Sequence, residues 1–448
     1  MKRIIKKLEK YIEINEIFSA FINEKNAVFL DSSLQNELGR FSIIGINPYL
    51  TILNSEKLIV NGQVVNELFE DYVGNYLKSH HEENNTILPI VSGAIGYLSY
   101  DYGRKLENVN SAHEDNIKIP HCILNFYDDF IIEDHKEKEI YIVANGNLTS
   151  SEVAIKNIEY KIANINEKFH DSECIRKIIV NSNFEKEKYL QAISKVIQYI
   201  IEGDIYIANL TQRLKIKSEK TPYEMFKKLR KINPSPFGAY LNYDDFQVVS
   251  SSPERFLKMK NNHIETRPIK GTRKKGSDES ENLKLKEELQ QSEKDKSELL
   301  MIVDLERNDL NKVCKKGTVK VTELFTIEEY ATLYHLVANI VGDLKDDLTV
   351  MDLIKATFPG GSITGAPKKR AIEIIDELEN GQRGIYTGTI GYISLDGSCD
   401  LNIVIRTALY KDGIYSLGVG GGITYESELH FEYEETLQKA KAILDALS

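Results

Sequence analysis

The run Ile385-Tyr386-Thr387-Gly388-Thr389-Ile390-Gly391-Tyr392-Ile393-Ser394 is followed, through Asp396-Gly397, by a second such run over 401–410. A third, over 414–419, follows Asp412-Gly413. β-Branched and aromatic residues favour strands, and Asp-Gly supplies the left-handed backbone that tight hairpins need. The three runs therefore read as an antiparallel meander. Working outward, Leu58–Val60 and Gln63–Val65 flank Asn61-Gly62 as a hairpin, and 140–143, 205–216 and 237–249 read as further strands. Tyr189, Ile193, Val196, Ile197 and Ile200 recur at helical spacing, which predicts a helix over 184–202, capped from Asn181-Ser182-Asn183 and stopped by Gly203. The segments 29–33, 39–45 and 93–100 are small-residue and aromatic stretches that suit a packed sheet. Antiparallel strands with intervening helices predict an α+β chain, a layered α/β sandwich, and not a doubly wound parallel sheet. The polar patch 166–173 divides an N-terminal region, 1–175, from a second region, 176–448.

The 57 basic and 68 acidic side chains leave a formal charge of −11, which argues against nucleic acid or an acidic membrane surface as a partner. An anionic substrate would need a local basic pocket or a metal ion. The four cysteines, Cys122, Cys174, Cys314 and Cys399, show neither a CxxC pair nor zinc-ligand spacing, as expected of a reducing cytoplasm. The N-terminus alternates charged with apolar residues, unlike a signal peptide, and no stretch approaches a membrane span.

Several groups could carry chemistry. Lys270, in Arg267-Pro268-Ile269-Lys270-Gly271-Thr272-Arg273, is placed where a strand over 262–269 gives way to a turn. It is a nucleophile if desolvated, or else part of a basic surface turn. Asp295 and Glu298 share one face of a helix over 282–304, and Glu432, Glu435 and Lys439 share a face of the final helix. Two such acidic faces could bracket Mg²⁺, which prefers oxygen ligands, or each could be a solvated helix face. The segment 358–368 resembles a phosphate loop only loosely, because Pro367 stands where that motif needs glycine. Gly420-Gly421-Gly422 reads as a tight turn or as bare amides for a carboxylate.

Residues 267–276, 304–310 (Asp-Leu-Glu-Arg-Asn-Asp-Leu), 358–367 and 431–439, in this order, resemble the chorismate-utilising family. That family includes the large subunits of anthranilate and aminodeoxychorismate synthases as well as isochorismate and salicylate synthases. The likeness covers nearly the whole chain and implies the fold of anthranilate synthase component I. It implies Glu298 and Glu435 as direct Mg²⁺ ligands, with Asp295 and Glu432 acting through water; Asp295 replaces a more usual glutamate. Tyr386, Arg406 and the Gly420, Gly421 and Gly422 amides would hold the enolpyruvyl carboxylate of chorismate. Gly271, Thr272, Thr364 and Lys439 would complete the pocket, His335 would stand beside the ring, and Glu254 would be the general acid.

Within the family, Lys270 matches the aminodeoxychorismate synthases, where the lysine forms a covalent intermediate and ammonia enters at carbon 4. Anthranilate synthases carry alanine there, and anthranilate synthase component I is the alternative. Ile207 stands where water-adding members carry a lysine, which favours amination. With no glutaminase segment visible, ammonia is expected from a separate glutamine amidotransferase subunit. Ser32, Arg40, Pro236, Phe237 and Gly238 match the lining of a tryptophan pocket. A non-catalytic scaffold would lack the acid and metal ligands, all of which are present.

Overall fold

The computed structural model describes residues 2–165, 177–329 and 333–448. The expected break at 166–173 and the boundary between 175 and 176 lie outside these residues. Among the described residues, 22 strands join in one hydrogen-bonded sheet, and its pairings are antiparallel. Both faces of many strands are covered. Val28 and Ile43 pack with Ala239, Val248, Ile390 and Leu409 in a core made by strands facing strands. Their neighbours Phe29 and Ile44 point the other way, as strand alternation requires, into a core capped by helices. Those helices are Ile14–Ser19, Ser151–Ala163, Pro222–Ile232 and Leu429–Leu447. A third core lies under the helices Lys186–Ile201, Glu293–Val313 and Lys368–Leu378. The architecture is the expected α+β layered sandwich.

The N-terminal and C-terminal parts share this sheet. Val28–Asp31 pairs with Phe237–Asn242, with Phe29 opposite Tyr240. Gly93–Leu98 pairs with Thr389–Ser394, with Ile95 opposite Tyr392.

The Asn61-Gly62 hairpin forms as expected, both residues having positive φ. Tyr189, Ile193 and Val196 are buried, each contributing about 2 kcal/mol by leaving water. That helix starts at Lys186, not 184, because Ile179–Ser182 is a strand and Ser182 Oγ accepts instead from the Phe184 amide at 3.0 Å. Three expected elements are divided. Residues 237–249 are the hairpin Phe237–Asn242 and Phe246–Ser252. Residues 401–410 break between Cys399–Asn402 and Thr407–Lys411, where Arg406 has φ 49°. The helix expected over 282–304 is two, Glu279–Gln291 and Glu293–Val313, because Ser292 ends one and caps the next at the Asp295 amide.

Candidate active site

Lys270 is not in a turn. It lies on the strand Ile269–Lys274, paired with Leu333–Asp343, and the register slips between Lys270 and Thr272. The slip is a bulge at Gly271, whose φ is 68°. A Cβ there would stand 2.8 Å from Leu289 Cδ1 and 2.9 Å from Asp295 Cγ, so only glycine admits both the bulge and the packed helix. Bulges re-aim neighbouring side chains. Here Lys270 Nζ donates to the Ser362 carbonyl at 3.1 Å, in the short helical turn Gly361–Ile363.

Gly420, Gly421 and Gly422 are not a turn either. They lie in the strand Ile414–Ile423, opposite Thr211, Leu210 and Asn209. The strand Thr407–Lys411 pairs with it only as far as Leu417, which leaves the other edge of 420–422 without a strand partner. The missing side chains make room on both faces. A Cβ on Gly421 would stand 3.1 Å from Glu435 Oε2, 3.3 Å from Glu432 Oε2 and 3.6 Å from Lys439 Nζ. A Cβ on Gly422 would stand 3.1 Å from Ile207 Cδ1 and 3.7 Å from Lys270 Nζ. The bare backbone thus runs between the candidate nucleophile and the acids of the last helix. Tyr386 rests its ring on a fourth glycine, Gly418, where a Cβ would come within 2.2 Å of the ring.

The four acids come from two helices. Burial pushes the Glu298 carboxyl up, with Lys270 and Lys294 opposing and Asp295 and Glu432 adding to the rise. Burial also raises Glu432, opposed by its hydrogen bond from Ser427 Oγ at 2.7 Å. Asp295 is held by Arg273 at 3.2 Å and Glu435 by Lys439 at 2.8 Å, while Lys294 lies 3.7 Å from Glu432. Lys439 also donates to the Gly420 carbonyl at 2.9 Å. Among the described residues no three acidic, histidine or cysteine side chains close into a ready ligand cage. The donor set still suits a hard cation: it is all carboxylate, and two of its members are raised by burial, a cost that a divalent ion would relieve.

Glu254 is buried directly after Pro253, and desolvation raises its pKa. The Ser362 side chain, Lys270, the Ile269 backbone and Arg406 pull the other way. His335 is lowered to about 4, by burial first and then by Arg406, so its imidazole is neutral at physiological pH. Its Nδ1 lies 2.9 Å from Thr272 Oγ1. Thr364 is buried and donates to the Gly360 carbonyl at 2.9 Å. Lys270, Glu254, Glu298, Arg406, His335 and Thr272 thus form one connected electrostatic group.

The expected tryptophan-pocket residues surround a separate hollow of about 370 Å³, lined by Ser32, Arg40, Pro236, Phe237 and Gly238 together with Tyr392 and Met259. Ser32 Oγ hydrogen-bonds the carbonyls of Phe41 and Pro236, at 2.8 and 2.9 Å. Arg255 lies over the Phe237 ring and binds Asp400 through two hydrogen bonds. Glu254 and Arg255 are consecutive, one in this candidate catalytic group and the other on the hollow.

Two features went unread in the sequence. Ser362 touches both Lys270 and Glu254, through its carbonyl and its side chain respectively. Arg383 is buried against Glu379 at 2.6 Å and donates to the carbonyls of Ile363 and Asn209, tying the helical turn to the strand Ile207–Lys217. Its signal was the spacing of four between Glu379 and Arg383. Lys368, last in the loose phosphate-loop segment, is bound by Asp309 and the Thr357 carbonyl and is not presented to an anion.

An antiparallel α+β scaffold that gathers a half-buried lysine, a buried glutamate and a carboxylate-rich helix pair around a bare glycine strand defines an enzyme for a small carboxylated substrate. The chain belongs to the chorismate binding enzyme family, whose model matches residues 25–445. It is 36% identical to anthranilate synthase component 1 of Acetivibrio thermocellus, over 98% of this chain and 94% of that protein. It is also 36% identical to aminodeoxychorismate synthase component 1 of Bacillus subtilis, over 95% and 92%. The crystal structure of anthranilate synthase component I from Streptococcus pneumoniae superposes with a TM-score of 0.82 at 31% identity, covering 92% of this chain and 93% of that one.

Proposed function

We propose that the chain is aminodeoxychorismate synthase component I, converting chorismate and ammonia to 4-amino-4-deoxychorismate on the way to 4-aminobenzoate and folate. The observation that carries this is the placement of Lys270 Nζ: against Ser362, beside Gly422, and electrostatically coupled to Glu254 and Glu298. In this reading the Lys270 amine adds at ring carbon 2 while the 4-hydroxyl leaves. Glu254, kept acidic by burial, gives that oxygen its proton, so water departs. Ammonia then forms the new bond at carbon 4 and Lys270 is expelled from carbon 2, restoring the enzyme. Neutral His335, fixed by Thr272, stands beside the ring. Arg406, Tyr386 and the amides of 420–422 receive the enolpyruvyl carboxylate.

Glu298 and Glu435 would hold Mg²⁺, with Asp295 and Glu432 behind them through water; the ion would neutralise the ring carboxylate. The relatives are named as first components of synthases, which supports a separate glutamine amidotransferase as the ammonia source. The hollow behind Arg255 takes tryptophan in this reading. No described helix is long and apolar enough to cross a membrane.

The test is product analysis of purified protein with chorismate, Mg²⁺ and an ammonium salt. A 4-amino product, lost in Lys270→Ala, is the expected result, with mass spectrometry detecting a lysine adduct in the native enzyme. Anthranilate from the native enzyme would instead establish anthranilate synthase component I. Equal identity to the two kinds of relative keeps that second reading in view.

A further inference from the structure

A second glutamate lies beside the general acid. Glu306 is buried on the helix Glu293–Val313, under the turn that carries Ser362; its Cγ lies 3.7 Å from where a Cβ on Gly361 would stand. Among the described residues it makes no ion pair. Lys368, a cation that acts on it, is bound by Asp309, one turn along the same helix, and by the Thr357 carbonyl.

The hydrogen bond that Glu306 does make is a shared one. Thr266 Oγ1 lies 2.7 Å from the Phe256 carbonyl oxygen and 3.1 Å from Glu306 Oε2. A hydroxyl has one proton, and the Phe256 carbonyl can only accept. Thr266 shares that proton between the two, with the shorter leg to Phe256, so Glu306 receives only the weaker part of one hydrogen bond. A buried carboxylate with no ion pair and so little hydrogen bonding is costly, which favours the neutral acid.

We propose that Glu306 is a positioning residue for the general acid: a carboxyl that stays protonated at neutral pH, whose neutrality lets Glu254 alternate between acid and carboxylate during turnover. Glu254 gives its proton to the departing oxygen and becomes negative in a buried place. A charged carboxylate beside it would make that step costly, because two like charges in low dielectric repel strongly. A neutral one does not. Burial, and then the proximity of Glu254, raise Glu306 to about 8; Asp309 adds to the rise, while Thr266 and Lys368 oppose it. Burial raises Glu254 as well, but Ser362, Lys270 and Arg406 act on it and oppose that rise. The two carboxyls are therefore pushed apart in role, one to exchange protons and one to keep its own. As pH rises past about 8 Glu306 ionises, and Glu254 then holds its proton too tightly to donate it. Turnover falls.

This inference rests on the catalytic role of Glu254 given above, and its test separates the two. Infrared titration of the whole protein without substrate should show a protonated carboxyl band that persists through neutral pH and disappears near pH 8. The band should be absent from Glu306→Gln. Should that variant not fold, wild-type protein labelled with carbon-13 at its glutamate carboxyls gives the same reading by NMR. Chorismate consumption, followed at constant free ammonia and whatever the product, should show an alkaline fall in kcat near the same pH. In Glu306→Gln that limb should move to higher pH or vanish. A Glu306 carboxyl already ionised at neutral pH would overturn the proposal, and so would an alkaline limb unchanged in the variant. Absence of chorismate turnover would overturn the functional reading and leave the infrared result to decide the protonation of Glu306.

Discussion

The hollow behind Phe237 and the catalytic group differ in how they await a ligand. The hollow is open space of about 370 Å³ whose two arginines are already paired, Arg255 with Asp400 and Arg40 with Asp134. The catalytic group is filled by its own charges: Lys439 on Glu435, Arg273 on Asp295 and Lys270 on the Ser362 carbonyl. A ligand entering the first displaces little. A substrate entering the second must exchange ion pairs, so its carboxylates take over partners that the protein now gives to itself. The difference teaches where substitution should hurt: chemistry depends on single atoms in the crowded site, and binding on shape in the open one.

The sharpest break of this contrast is Glu254→Gln. Removing the proposed proton donor should lower kcat by about 10²–10⁴ while leaving KM nearly unchanged, read from steady-state kinetics. Next is Arg383→Ala, which strands a buried Glu379 and frees two carbonyls. It should cost about 3–5 kcal/mol of stability in denaturant unfolding, with activity falling because the 361–363 turn loosens. The smallest effect on turnover is expected from Leu38→Trp, which fills the hollow from a half-buried position. Calorimetry should then show no tryptophan binding, with kcat within a few-fold of the native value. Lost turnover in that variant would mean that the two regions are not separable.

Much of this was legible in the chain because local chemistry and tertiary structure agree there. The 184–202 helix and the Asn61-Gly62, Asp396-Gly397 and Asp412-Gly413 turns follow from periodicity and from left-handed backbone. The misread places are those where tertiary contacts decide. Gly420–Gly422 looks like a turn because glycine usually breaks strands; here the strand persists because two helix carboxylates and Lys270 need its faces bare. Arg406 takes a left-handed conformation with no glycine to announce it. The break at Ser292 carried a signal, a serine followed three residues on by an aspartate, which is the pattern of a helix start. Of the site, the charged residues were readable through resemblance. The bracing by Ser362 and Arg383 was not, since it runs largely through backbone carbonyls, those of Ser362 and Ile363, that any sequence supplies.

The pairing of Gly93–Leu98 with Thr389–Ser394 has a consequence for how the molecule is made. During synthesis the earlier strand emerges long before its partner exists, and its edge must wait through nearly 300 residues of further translation. Closing so long a loop before any contact rewards it slows folding, and the waiting edge is open to the wrong strand meanwhile. The ribosome's release of the last third of the chain, rather than the collapse of either part alone, should therefore set when the protein becomes protease-resistant.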